Sequence, residues 1–267
     1  MTLADIVRQA LDEDIGSGDI TTESCVPADR RARGYFLARE DLVLAGTTVL
    51  REIYEQLTLL HSDGERLKEG DRIAEVMGSA RKLLGCERVA LNFLQRLSGV
   101  ATLAGRFAAA VAGTKCRVLD TRKTTPGLRE LEKAAARAGG ATNHRMGLYD
   151  AILIKNNHIA AAGGVKQAIT NARACSTFPI EIEVRTRAEL EEALAEGAAH
   201  LLLDNLTPKE AAEWIRFIEG RATVELSGGV NLETVRAYAE TGADFVSVGA
   251  ITHSARAVDI SFRLELL

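Results

Sequence analysis

Residues 180–204 read IEIEVRTRAELEEALAEGAAHLLLD, and the fold prediction starts from this stretch. Both ends are apolar runs with the length of buried strands. Between them, apolar residues recur at helical spacing over 188–196, and Thr186 with Glu189 forms a capping box where that helix begins. The stretch therefore predicts a strand–helix–strand unit with parallel strands.

The same alternation continues through the C-terminal half of the chain. Six apolar runs of strand length occur there, at 117–119, 151–154, 180–184, 201–203, 223–226 and 245–248. Six strands in about 135 residues are too few for a complete eight-stranded barrel, which typically needs about 250 residues. We therefore predict an α/β fold with a shortened or open barrel, and a doubly wound sheet is the structural alternative.

The N-terminal part has a different pattern. It predicts a short helix at 5–12, a polar loop at 14–22, and alternating strand-like runs around 34–39 and 71–76. A long helical pattern over 83–112 then leads into the C-terminal half. These features indicate a separate α+β layer.

Composition narrows the class of protein. The net charge is −4, which argues against broad binding to a nucleic-acid backbone. The sequence has no apolar run of the ~20 residues that a membrane span needs, and its first residues lack a secretory-signal pattern. The four cysteines form no C-x-x-C pair, so neither zinc nor a disulfide framework is indicated. We expect a cytoplasmic protein.

Polar or glycine residues occur at the ends of the six runs, where parallel strands build the active site of an α/β barrel. They are Thr121, Arg122, Lys123, Lys155, Glu183, Asp204, Ser227, Gly228, Gly229, Gly249 and Ala250. Arginine and lysine bind carboxylates and phosphates, and glycine turns let backbone N–H groups approach a phosphate. Carboxylates suit Mg²⁺ that is shared with substrate phosphates. The pattern predicts a pocket for a small phosphorylated substrate with a metal ion.

These residues also have purely structural interpretations. Arg122 and Lys123 are compatible with a solvated loop. Glu183 is compatible with a structural ion pair to Lys155, and His144 with an ordinary core or surface histidine. The functional interpretation rests on the occurrence of all these residue types at corresponding strand ends.

Several motifs in this order resemble the quinolinate phosphoribosyltransferases, a type II phosphoribosyltransferase family. The matching motifs include Asp120-Thr121-Arg122-Lys123-Thr124, Asn143-His144-Arg145, Leu153-Ile154-Lys155, Glu181-x-Glu183, Asp204-Asn205 and Ser227-Gly228-Gly229. The resemblance implies an N-terminal α/β sandwich domain over 1–105, joined by 255–267, and an open α/β barrel over 106–254. It also implies a homodimer with shared active sites, and leaves open whether dimers assemble into hexamers.

The implied reaction converts quinolinate and phosphoribosyl pyrophosphate to nicotinate mononucleotide, pyrophosphate and CO₂, with Mg²⁺, in NAD biosynthesis. The residues implied to bind the quinolinate carboxylates are Arg122, His144 and Arg145, with Arg88 reaching the partner subunit's site. Those implied to be catalytic are Lys123, Lys155, Glu183 and Asp204, of which the last two hold the ribose hydroxyls or the metal. Those implied to bind the 5′-phosphate are Ser227, Gly228, Gly229, Gly249 and Ala250, and Thr121 is expected to contact substrate.

Two positions depart from the family pattern. Ala141 stands where many members have a glycine, and Asn156 stands where many have an acidic residue after Ile-Lys. A related family associated with molybdenum transport shares part of the pattern, including the stretch 133–141, but typically differs around Lys155. The alternatives are this related family, a transferase that acts on a monocarboxylate such as nicotinate, and a non-catalytic phosphosugar-binding barrel.

Overall fold

The computed structural model of the chain describes residues 2–267. Its strands are β1 Arg31–Ala38, β2 Leu42–Val43, β3 Leu57–Leu59, β4 Arg66–Leu67, β5 Arg72–Ser79, β6 Arg117–Leu119, β7 Ile152–Ile154, β8 Ile180–Val184, β9 His200–Asp204, β10 Thr223–Ser227, β11 Phe245–Ser247 and β12 Ile260–Leu266. Its helices are α1 Leu3–Ile15, α2 Ile20–Cys25, α3 Thr47–Ile53, α4 Ala80–Ala110, α5 Arg129–Ala138, α6 Asn156–Ala162, α7 Val165–Cys175, α8 Arg187–Ala195, α9 Pro208–Ile218, α10 Val235–Ala239 and α11 Ala250–His253.

The chain forms two compact units. Unit 1 contains the described residues up to Gly105 together with Thr124–Gly140 and Ile251–Leu267, and unit 2 contains Arg106–Lys123 and Ala141–Ala250. The assignment of Thr124–Gly140 to unit 1 differs from the sequence prediction, which placed this segment in the barrel. One contact of this segment within unit 1 is a buried ion pair: Arg96 donates two hydrogen bonds to Oε1 of Glu132, which has no exposed surface.

An antiparallel sheet with the order β12-β1-β5-β3 forms the centre of unit 1. Alternate residues of β1 are buried, as expected for a strand that packs one face against a core. Phe36 is fully buried, and its ring centroid lies 4.9 Å from that of Phe262 on β12. The strand-like runs predicted around 34–39 and 71–76 thus correspond to β1 and β5, which pair with each other, and β12 extends the same sheet.

Helix α4 is a single long helix, and Gly99 allows close packing along it. A Cβ atom at position 99 would lie 2.0 Å from the carbonyl oxygen of Arg256, so no larger residue fits unless the backbone shifts. A glycine inside a helix costs about 1 kcal/mol relative to alanine. The close approach of the segment before β12 explains why this position is a glycine.

Unit 2 is built on a six-stranded parallel sheet with the order β6-β11-β10-β9-β8-β7. The strands β6 and β7 lie at opposite edges of this order, and no pairing between them is present among the described residues. The expected open α/β barrel, in a chain that also has an N-terminal domain, is therefore confirmed. The apolar runs predict these strands well because parallel strands covered on both faces are almost continuously hydrophobic.

Capping residues fix the starts of two barrel helices. The side chains of Thr186 and Thr207 accept hydrogen bonds from the N–H groups of Glu189 and Glu210, and each glutamate side chain accepts one from its capping residue in return. Both capping boxes predicted from the sequence are present. They begin α8 and α9 a few residues after β8 and β9, so the strand ends are held in a defined position.

The expected polar loop at 14–22 is only partly correct, because helix α2 begins within it. The side chain of Asp19 accepts a hydrogen bond from the Thr22 N–H and so caps this six-residue helix. Within residues 2–267, no helix has both the length and the apolar character that crossing a bilayer requires.

Candidate active site

A cavity of about 460 Å³ opens at the carboxyl ends of the unit 2 strands. Seven of the residues expected from the sequence line it: Thr121, Arg122, Lys123, His144, Arg145, Lys155 and Ser227. Four of these are arginines or lysines, and their presence cannot be attributed to a generally basic chain, since the net charge is −4. The cavity is therefore suited to an anionic ligand.

The strand register explains which acidic residues reach this end of the barrel. Glu183, Leu202 and Glu225 are paired across β8, β9 and β10, and paired residues of a parallel sheet lie on the same face. Asp204 and Ser227 are paired two residues further along, at the strand ends. Two successive layers of the sheet thus present carboxylates to the same edge.

Asp120 shapes the loop that carries His144. It is fully buried directly after β6, and its carboxylate accepts hydrogen bonds from the Asn143 side chain at 2.5 Å and from the His144 N–H at 2.8 Å. The Arg145 guanidinium donates to the Ala151 carbonyl oxygen at 3.1 Å. Burial, together with the positive charge of Arg122, lowers the pKa of Arg145. Its pKa starts so high that the side chain remains charged at neutral pH.

His144 lies against two carboxylates inside the barrel. Its Nε2 is 3.2 Å from Oε2 of Glu181 and 3.4 Å from Oε2 of Glu225. Burial opposes a charge on the imidazole, but the hydrogen bonds to both glutamates outweigh it and raise the pKa of His144 to about 9. Burial also raises the pKa of Glu225, whose Oε1 accepts a short hydrogen bond from the Ser247 hydroxyl. The cluster consequently retains a proton between the ring and the carboxylates at neutral pH.

The position of that proton argues against a metal ion in this cluster. His144, Glu181 and Glu225 each offer one ligand atom, and these atoms lie within 4.8 Å of one another. However, the Arg145 N–H donates to Nδ1 of His144 at 2.7 Å, so the uncharged form of the ring carries its proton on Nε2. A protonated Nε2 donates a hydrogen bond and is not a metal ligand. We interpret the three residues as a hydrogen-bonded cluster that orients His144.

Glu183 and Asp204 share a cationic partner, Arg185. Its Nη2 lies 2.7 Å from Oε1 of Glu183 and donates a hydrogen bond to Oδ2 of Asp204 at 3.1 Å. The Lys155 Nζ lies 3.6 Å from the other oxygen of Glu183, so the ion pair foreseen as a structural alternative exists. The approach of Arg185 to Glu183 lacks hydrogen-bond geometry. Among the described residues, this buried Oε1 has no hydrogen-bond donor.

The turn after β10 requires glycine at position 228. Gly228 has φ +104°, and a Cβ atom there would lie 2.2 Å from Oδ1 of Asn205. Asn205 is itself in the left-handed region, with φ 59°, and its N–H donates to the Ser227 carbonyl oxygen at 2.9 Å. The ends of β9 and β10 therefore meet in a close backbone contact. A glycine turn of this kind lets a phosphate approach the main chain without obstruction by a side chain.

The remaining expected residues differ in location. Gly229 lies in the same turn, while Gly249 and Ala250 follow β11, so all of these are at the strand ends of unit 2. Arg88 is exposed on the part of α4 that belongs to unit 1. Unit 2 by itself therefore brings together every expected residue except Arg88.

Sequence reasoning assigned no role to Asp120, Arg185, Glu225 or Ser247. Glu225 and Ser247 lie within apolar runs, where an isolated polar residue gives no signal until the register is known. Arg185 follows β8 directly, and its position at a strand end is a signal that could have identified it. Asp120 opens the motif that contains Arg122, but only the fold shows that it binds the His144 loop.

Comparisons with known proteins agree with this architecture. The family model described as quinolinate phosphoribosyl transferase, N-terminal domain, matches residues 19–98, and the C-terminal domain model matches residues 100–263. A probable nicotinate-nucleotide pyrophosphorylase [carboxylating] from Bacillus subtilis is 40% identical, over 95% of this chain and 90% of its own length. The Mycobacterium leprae protein with the name nicotinate-nucleotide pyrophosphorylase [carboxylating] is 41% identical, over 97% and 96% of the two chains.

Two solved structures give the same result at the level of the fold. The crystal structure of NadC from Streptococcus pyogenes superposes with a TM-score of 0.95 at 41% identity, over 99% of this chain and 97% of that chain. The Francisella tularensis nicotinate-nucleotide pyrophosphorylase superposes with a TM-score of 0.94 at 38% identity, over 98% and 96%. The two domain models together match most of the sequence. The chain belongs to the quinolinate phosphoribosyltransferase family.

Proposed function

We propose that the chain transfers the phosphoribosyl group of phosphoribosyl pyrophosphate to quinolinate, releasing pyrophosphate and CO₂ and forming nicotinate mononucleotide. The observation that carries this proposal is the cavity where Arg122, Lys123, Arg145 and Lys155 converge, with Lys155 next to Glu183, which shares Arg185 with Asp204. Both substrates are polyanions, and the anomeric carbon of phosphoribosyl pyrophosphate becomes electron-deficient as pyrophosphate leaves. Such a reaction needs cations around the anionic groups and carboxylates beside the ribose.

Each side chain has a specific task in the bond changes. Lys123 and Lys155 stabilise the charge that collects on pyrophosphate as its bond to the anomeric carbon breaks. Glu183 and Asp204 stabilise the positive charge that develops on the ribose. The ring nitrogen of quinolinate donates its electron pair to the anomeric carbon and becomes a pyridinium. When the adjacent carboxylate leaves as CO₂, the pyridinium stabilises the electron pair left on the ring carbon, which then takes up a proton.

Binding of the two substrates follows from the placement of the remaining groups. Arg122, His144 and Arg145 are proposed to bind the quinolinate carboxylates, since guanidinium groups grip carboxylates in two places. The cluster beneath His144 keeps the imidazole in one orientation. The backbone of the Gly228 turn is proposed to bind the 5′-phosphate, together with Gly249 and Ala250.

The residues present fit a divalent cation. Oε1 of Glu183 is a buried carboxylate oxygen that lacks a hydrogen-bond donor within residues 2–267, and Asp204 offers a second oxygen nearby. Oxygen ligands of this type suit Mg²⁺. We propose that Glu183 and Asp204 would hold Mg²⁺, which when bound supplies additional neutralisation of the pyrophosphate charge.

We also propose a cytoplasmic homodimer whose active sites include Arg88 of the partner subunit. Support comes from the exposure of Arg88, which belongs to unit 1, whereas the other expected site residues belong to unit 2. Mixing inactive Arg88→Ala chains with inactive Lys155→Ala chains is expected to restore part of the activity once subunits exchange. Heterodimers that form but stay inactive would argue against a shared site.

The substrate is tested by comparing acceptors. Incubation with phosphoribosyl pyrophosphate and quinolinate is expected to give nicotinate mononucleotide, whereas nicotinate gives little product. Activity with nicotinate but none with quinolinate would overturn the proposal. The two matching domain models, both described as quinolinate phosphoribosyl transferase, favour quinolinate over the molybdenum-associated family and over a non-catalytic barrel.

A further inference from the structure

Arg185 lies between the two carboxylates proposed to serve the ribose and the metal. A single atom, Nη2, approaches both of them, at 2.7 Å from Glu183 and 3.1 Å from Asp204. The two carboxylate groups are only 3% and 13% exposed, while the Arg185 side chain is 45% exposed. The guanidinium therefore reaches the buried carboxylates from the solvent side.

The local charges are already balanced. Glu183 and Asp204 carry two negative charges, and Arg185 with Lys155 carries two positive charges. Asp204 also accepts a hydrogen bond from the Asn205 side chain at 2.7 Å. A bare divalent cation entering this group would leave an unbalanced positive charge. The guanidinium keeps its positive charge, so the excess is relieved only if the arginine side chain moves away.

We propose that Arg185 is a positioning residue of this site: it holds Glu183 and Asp204 together as a resident counter-ion, and a divalent cation binds the pair only by displacing its guanidinium. The proposal rests on the proposed function of the two carboxylates. Displacement is sterically simple because the arginine side chain is half exposed and can extend into solvent. It follows that the metal binds weakly alone, and well when pyrophosphate brings compensating negative charge.

The test measures Mn²⁺ binding to the whole chain without substrates. The concentration of free Mn²⁺ is read from its electron paramagnetic resonance signal. Arg185→Gln is expected to bind Mn²⁺ about tenfold more tightly than the native chain, because removing the guanidinium removes a competitor for desolvated carboxylates. Arg185→Lys is expected to fall between them, since an ammonium group keeps the charge but not the planar fork.

Two further variants locate the effect. Arg187→Gln serves as the matched control, because Arg187 lies two residues away but pairs with Glu191 and stacks on Phe217, and its Mn²⁺ affinity should be unchanged. Adding Glu183→Gln to Arg185→Gln should abolish the gain. Equal affinities of the native chain and Arg185→Gln, a gain that survives loss of Glu183, or no Mn²⁺ binding by any variant would each overturn the proposal.

The proposed function is measured separately in the same preparations. Formation of nicotinate mononucleotide with excess Mg²⁺ reports on the reaction, and Mn²⁺ affinity without substrates reports on Arg185. A native chain that makes no product while Arg185→Gln still gains Mn²⁺ affinity would refute the function but support the counter-ion. An active native chain, with unchanged Mn²⁺ affinity in Arg185→Gln, would support the proposed function but refute the role of Arg185 as a counter-ion.

Discussion

Replacing Glu225 by glutamine tests whether buried carboxylates control the protonation of His144. The replacement keeps the shape of the side chain and removes one of the two negative charges near Nε2, the one at 3.4 Å. An opposite charge at this range shifts a pKa by about 1–3 pH units. We therefore expect the pKa of His144 to fall from about 9 by one to two pH units.

The assay is an NMR titration of the imidazole groups. The chain has only five histidines, so the His144 signal can be identified by its loss in His144→Gln. Glu240→Gln is the control, because Glu240 is an exposed residue whose partner is Arg236 on α10. Identical His144 titrations in Glu225→Gln and in the native chain would show that Glu225 does not control this proton.

The same proton affects stability in a defined direction. The native state holds the His144 proton more tightly than the unfolded chain, in which histidine titrates near pH 6.5. The stabilisation is therefore complete below pH 6.5 and is lost as the pH rises through about 9. Its upper limit is about 3 kcal/mol, and the Arg145 N–H at Nδ1 reduces it. Urea denaturation should show a smaller loss between pH 6 and pH 9.5 in Glu225→Gln than in the native chain.

Two further predictions concern packing and backbone. Gly228→Ala should destabilise the fold by about 1–3 kcal/mol and raise the KM for phosphoribosyl pyrophosphate, because the added Cβ would clash with Asn205. Gly229→Ala is the control: Gly229 has φ +61° and no atom within 4 Å of an added Cβ, so this variant measures the cost of the positive φ alone. Glu132→Ala should lower the free energy of unfolding by about 3–5 kcal/mol, because it leaves Arg96 beside an empty buried position. Thermal and urea denaturation measure both, and losses below 0.5 kcal/mol, roughly the level of surface substitutions, would contradict them.

The barrel strands could be predicted because their signal is local. The runs that become β6 to β11 are apolar over their own length, and the Thr186 and Thr207 caps are visible in four residues each. The expected cluster of cations and glycines also followed from position, since the carboxyl ends of parallel strands share one edge. Local sequence patterns were therefore sufficient to predict the architecture of unit 2.

What the sequence did not indicate depends on contacts between distant residues. The contacts of α5 within unit 1 include the Glu132–Arg96 pair, 36 positions apart in the chain. The protonation of His144 depends on Glu181 and Glu225, which reach it only through the register of β8 to β10. Arg185 links two carboxylates only because Asp204 lies within reach on the neighbouring strand. No periodicity in the sequence encodes these pairings.

The most direct test of the account follows the 2-carboxylate of quinolinate. With that carbon labelled, the purified chain and phosphoribosyl pyrophosphate should release labelled CO₂ and pyrophosphate in equal amounts, and Glu183→Gln should slow both together. Release of pyrophosphate with the label retained in the organic product, or no turnover of quinolinate by a folded chain, would contradict the account.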